Sequence, residues 1–184
     1  MRCLRYIVRQ GAAFHVIAII IGLGLLTALV WADPRRSAIA ITQAYVVFGP
    51  WEGPVLAGLF AAACILHELA HGFAGRRVGG GPVRYGTRFV LRVVPLAFYC
   101  ALDGTMTRAG VVVVLLAPQV AVPAALGALA LAAPQARGLC WLVFVLMLVG
   151  SVPDLLMLVA ILGSRAAKVR DTAAGVIEVP IGGG

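Results

Sequence analysis

Five consecutive residues, His67-Glu68-Leu69-Ala70-His71, have the types and the spacing of a metal site. On a helix, His67 and His71 fall one turn apart and project from one face. Two imidazoles so placed can hold one zinc ion. Glu68 beside them can then take a proton from a water at the metal. The surrounding sequence is apolar enough to cross a membrane. A His–Glu–His cluster in lipid is costly without a partner. The competing reading is a hydrogen-bonded His–Glu–His patch between helices.

A catalytic zinc site needs a third protein ligand and an open fourth position. Glu68 and Asp154 are the two acidic residues inside the expected spans, and an intramembrane carboxylate is a functional candidate by default. His71 and His67 precede Arg76 by five and nine residues, and Asp154 precedes Arg165 by eleven. At about 1.5 Å per residue, all three lie roughly 8–17 Å from the same ends of parallel helices. Asp154 is therefore the expected third ligand, against the alternative of a Pro-Asp kink whose carboxylate bonds to backbone. Gln119, at matching depth, is a candidate contact to a substrate carbonyl or oxyanion, or else an interhelical hydrogen bond. Cys64, three residues before His67, and His15 in the first apolar stretch read more simply as a small core residue and an interfacial histidine.

The elements that position these residues follow from composition. Of 184 residues, 62% are hydrophobic and 12% charged, with mean hydropathy +1.02. A soluble domain is near a quarter charged, so this is expected to be an integral membrane protein in a lipid bilayer. The formal charge of +8 could attract nucleic acid. In a membrane chain, however, basic residues mark cytoplasmic loops, so no nucleic-acid partner is expected. The four cysteines are scattered, without zinc-ribbon or disulfide spacing.

The expected fold is mostly α, a polytopic membrane protein of one domain over 1–184, with about four transmembrane helices and a small cytoplasmic-side β-hairpin. Spans are expected at about 12–32, 54–77, 109–133 and 139–163. The first is read as a retained helix, with a cleaved signal peptide as the alternative. Residues 38–48 are apolar but short, as in an interfacial or re-entrant piece. Pro54 suits the first turn of the second helix, and Gly79-Gly80-Gly81-Pro82 ends it. Residues 83–103 alternate with a period of two and read as a β-hairpin ended by Asp103-Gly104. The four-residue spacing of Arg84, Arg88 and Arg92 leaves an amphipathic interfacial helix as the rival. Pro118 and Pro123 interrupt the third helix, where prolines bend a membrane helix and free backbone carbonyls. Ser151-Val152-Pro153-Asp154 interrupts the fourth. Residues 164–184 form a cytoplasmic tail whose glycine-rich end is expected to be disordered.

Four spans with the N-terminus inside leave 12 of the 15 basic residues on the cytoplasmic side, and only Arg35, Arg36 and Arg137 outside. Both termini are therefore expected in the cytoplasm. Fourteen of the 15 are arginine, which points by association to a GC-rich bacterial source and its cytoplasmic membrane. The oligomeric state is not legible.

In His67-Glu68-Leu69-Ala70-His71, in Asp154 on a later helix, in the Pro118 region between them and in Val169-Arg170-Asp171 with Gly175, the chain resembles intramembrane zinc metalloproteases of the site-2 protease type. It is more closely similar to the short bacterial membrane proteins described as putative zincin peptidases. The resemblance covers roughly residues 54–178. One departure is that Leu155 follows Asp154 where site-2 proteases usually carry glycine, with Ser151 where an Asn is usual. The resemblance implies Zn2+ as cofactor, held by His67, His71 and Asp154, with Glu68 catalytic. It also implies another membrane protein as substrate, cleaved in or near a locally unwound transmembrane helix. Strand addition along Val83–Val94 would receive the unwound peptide. The competing class is a non-catalytic metal-binding membrane protein, chaperone-like or transport-related; a transporter would show repeats and more spans.

Overall fold

The computed structural model describes residues 6–9, 12–33, 35, 38–39, 42, 46–90, 94–102, 104–172 and 175–178. The fold is mostly helical. Strand β1 (Tyr6–Arg9) leads into helix α1 (Ala12–Ala32), and a 3-10 turn at Gly49–Trp51 opens α2 (Glu52–Arg77). Strands β2 (Val83–Val90), β3 (Val94–Leu102) and β4 (Thr105–Thr107) follow. Next come α3 (Arg108–Ala132), a 3-10 turn at Pro134–Ala136, α4 (Arg137–Gly150) and α5 (Val152–Gly163). Strands β5 (Lys168–Thr172) and β6 (Gly175–Glu178) end the described chain.

Among the described residues, two helical stretches, Val46–Arg77 and Arg108–Ala132, are long and apolar enough to cross a bilayer. The fourth expected helix is broken. Its parts, Pro134–Gly150 and Val152–Gly163, meet at 45° and make a third span if taken together. Within α1, which runs for 21 residues, the described apolar stretch is Ala13–Leu29. Among the described residues the candidate spans number two, or three with the bent pair, beside the four expected. Val16, Ile17, Ile19, Ile20 and Leu23 of α1 are exposed, as lipid-facing side chains would be.

Helix α2 ends where the glycine run predicts, and its cap shows why. Gly79 has φ +83°, and the Gly80 N–H donates to the Gly75 carbonyl at 2.7 Å. This is the six-to-one bond of a left-handed glycine cap, which satisfies a terminal carbonyl and turns the chain back. The returning chain forms the β2–β3 hairpin, antiparallel from Val83↔Leu102 to Val90↔Val94, with a register shift between Arg88 and Phe89. Residues 83–90 and 94–102 are therefore strands; the four-residue arginine spacing is incidental to the period of two. Leu91–Val93 and Asp103 lie outside the described residues, as do 40–41 and 43–45 of the expected interfacial segment and the glycine-rich end.

A second sheet was not expected. Its four antiparallel strands run in the order β1-β6-β5-β4, with Tyr6 opposite Ile177 and Met106 opposite Val169. Residues read as a basic flank and a tail thus pair with one another. The sheet gathers the start of α1, the start of α3 and the end of α5 at one end of the bundle. Arg108 strengthens that junction, its guanidinium donating to the Leu162 carbonyl. Thr107 caps α3 by accepting the Gly110 N–H at 3.1 Å.

Two apolar clusters build the interior. One, near the sheets, joins Ala74, Leu102, Met106, Val114, Met157, Ile161 and Val169. The other joins Ala63, Val122, Leu126, Cys140, Val143 and Met147. The hairpin docks on α2 through glycines. A Cβ at Gly72 would run into the Tyr85 ring, and one at Gly75 would lie 2.5 Å from buried Leu102. Gly75→Ala is expected to cost about 1–3 kcal/mol through overpacking, read as a lowered unfolding midpoint in detergent. Gly58→Ala, where a Cβ meets nothing within 4 Å, serves as the comparison and should not lower the midpoint.

Candidate metal centre

His67 and His71 lie along α2 between Ala63 of one cluster and Ala74 of the other. Helical spacing stacks them on the face turned towards α3 and α5. Each is 8% exposed. Their rings meet edge to face, 4.8 Å between centroids.

Asp154 reaches them because the chain breaks just before it. The Ser151 N–H and Oγ–H both donate to the Met147 carbonyl, at 2.9 and 2.8 Å. They end α4, and Pro153 suits the first turn of α5. Asp154 then falls in that first turn, where the helix dipole favours a carboxylate. Its Oδ2 lies 3.0 Å from His67 Nε2 and 3.3 Å from His71 Nε2. The two Nε2 atoms are 3.2 Å apart. Among the described residues the Asp154 carboxylate turns to the histidines, not to backbone as a simple Pro-Asp kink would have it.

These three atoms form a group that could hold a metal ion. Four ligands at about 2.0–2.1 Å around tetrahedral zinc are about 3.3 Å from one another, close to the observed 3.0, 3.2 and 3.3 Å. The protons point the same way. His71 Nδ1 is 2.9 Å from the Val114 carbonyl, which can only accept, so Nδ1 carries the hydrogen. In the neutral ring, His71 Nε2 then offers a lone pair. His67 brings at most one proton between its own Nε2, His71 Nε2 and the Asp154 carboxylate. Converging lone pairs and a carboxylate in an apolar interior are what a divalent cation would balance.

Glu68 lies outside this group of three. Residues 68, 72 and 75 form the stripe of α2 under the hairpin, and the Glu68 carboxylate accepts the backbone N–H of Cys100 on β3. It remains within electrostatic range of His71, His67 and Asp154. Gln119 is five residues beyond Val114 on α3, and its buried Nε2 has no hydrogen-bond partner among the described residues. The Cys64 thiol points to Met147 Sδ at 3.8 Å and is outside the ligand group. His15 is exposed on α1 and packs edge to face with Phe14.

Two groups at the centre are invisible to a reading of side chains, the Val114 carbonyl and the Cys100 N–H. Backbone groups leave no residue-type signature. For Val114 the available signal is Pro118, four residues on.

The chain matches the family described as putative zincin peptidase over residues 60–168. That is more than half of its length, and it includes His67, Glu68, His71, Gln119 and Asp154. No curated protein and no solved structure matches it.

Proposed function

We propose, since the chain belongs to the family described as putative zincin peptidase, that it is a zinc-dependent intramembrane endopeptidase of the site-2 protease type. It hydrolyses a peptide bond in or near a transmembrane segment of another membrane protein. The observation that carries this reading is the meeting of His67 Nε2, His71 Nε2 and Asp154 Oδ2 within an apolar helical bundle, with Glu68 next in sequence.

His67, His71 and Asp154 hold the metal. Bound there, zinc would bring the pKa of water towards neutrality and polarise a carbonyl. Glu68 accepts the proton from the attacking water and passes it to the leaving amine. The Cys100 N–H keeps the Glu68 carboxylate in one orientation. The unpartnered amide of Gln119 is suited to donate to a substrate carbonyl or its developing oxyanion. The β2–β3 hairpin packs beside Glu68, so an unwound substrate segment added to it as a strand would run next to the metal-holding group.

The setting is a bacterial cytoplasmic membrane with both termini in the cytoplasm. The pairing of β1 with β6 supports this orientation, because it brings residues 6–9 and 175–178 into one sheet. The same end of the bundle carries most of the basic residues.

Metal removal tests the reading. A strong chelator should abolish cleavage of a model single-span substrate by the purified chain, and one equivalent of zinc should restore it. Cleavage that persists after metal analysis shows none remaining would end the proposal.

A further inference from the structure

We propose that Pro118 is a positioning residue for the metal centre, acting by releasing the Val114 carbonyl to hold His71. The inference rests on the zinc reading above. In an uninterrupted helix the carbonyl of residue 114 accepts the N–H of residue 118. Proline has no N–H, and its ring crowds the carbonyl four residues back. Helix α3 runs on from Arg108 to Ala132 with Pro118 inside it, so the Val114 carbonyl loses its partner while the helix continues.

A carbonyl freed within a bilayer must find another donor. Here the donor is His71 Nδ1–H at 2.9 Å. The bond settles which ring nitrogen carries the proton and leaves Nε2 as the nitrogen directed at His67 and Asp154. It also fixes the plane of the ring. A metal-binding histidine is commonly oriented by a carbonyl or carboxylate on its second nitrogen; in this chain a helix proline supplies that carbonyl. Pro118 and Val114 are both buried, so solvent does not compete for the bond.

Pro123 provides the internal comparison. It too lies in α3 and by the same rule releases the carbonyl of Gln119, a different backbone group. If bending alone mattered, the two prolines would act alike.

The test uses the full chain in detergent micelles, as wild type, Pro118→Ala and Pro123→Ala. Zinc affinity is measured by competition with a chromophoric chelator. The nitrogen-15 spectrum of the His71 ring is recorded on the metal-free chain at alkaline pH, where the ring is neutral. In Pro118→Ala the residue 118 amide competes for the Val114 carbonyl. Zinc affinity should fall by about 10–100-fold, and the ring should lose its preference for the Nδ1–H tautomer. Pro123→Ala should match wild type in both measurements. Unchanged affinity and tautomer in Pro118→Ala would overturn the proposal, as would equal losses in the two variants. Should Pro118→Ala fail to fold, the wild-type spectrum decides: a His71 proton on Nε2 overturns it. A wild-type chain that binds no zinc removes the zinc reading, while the tautomer comparison still decides the role of Pro118.

Discussion

Glu68→Gln is expected to keep one zinc per chain and to lower peptide hydrolysis by about 10²–10⁴-fold, the range for loss of a positioned general base. Glutamine has nearly the same shape and can still accept the Cys100 N–H through its amide oxygen, so the hairpin stays docked. Glu68 is not part of the metal-holding group, so zinc content should not move. What is lost is a carboxylate able to take a proton. Metal analysis and a cleavage assay on one preparation check both halves. Full activity in the variant would remove Glu68 from the mechanism. Loss of zinc would instead make it part of the metal site. A non-catalytic metal-binding protein would show zinc but no cleavage even in the wild type.

Asp154→Ala should leave the purified chain without stoichiometric zinc. Removing the carboxylate leaves only His67 and His71 of a three-atom group. The drop in affinity should exceed the roughly 10–100-fold effect of losing an outer partner of a ligand. The measurement is metal content and chelator competition, alongside far-ultraviolet circular dichroism. The kink reading predicts the reverse, altered helicity with zinc retained. Asp154→Asn separates charge from shape: it keeps the first turn of α5 intact, yet a neutral amide is a poor zinc ligand, so zinc should still be lost.

Much of the centre was legible because it is local. H-E-x-x-H places two imidazoles on one face whenever the segment is helical, and the apolar sequence around it leaves little alternative to a helix. The period of two from Val83 onwards, bounded by glycines, marked the hairpin. Asp154 was reachable by counting, since rise per residue sets depth. The four-stranded sheet was not legible. Two of its strands, Tyr6–Arg9 and Gly175–Glu178, are four residues each, too short for a periodic signal, and they pair across nearly the whole chain. The break at Ser151 showed as an interruption, but the 45° bend depends on how α4 and α5 pack.

By itself, then, the sequence determined the chemistry on offer: two histidines and a glutamate at helical spacing, a carboxylate at like depth, and a membrane to hold them. Rise along a helix is the same for every residue, so depth can be counted. Rotation about the axis changes by about 100° per residue, and only packing sets which way each helix faces. The tertiary structure alone decided that Asp154 turns to His67 and His71, that Glu68 turns to Cys100, and that the carbonyl beneath Pro118 meets His71.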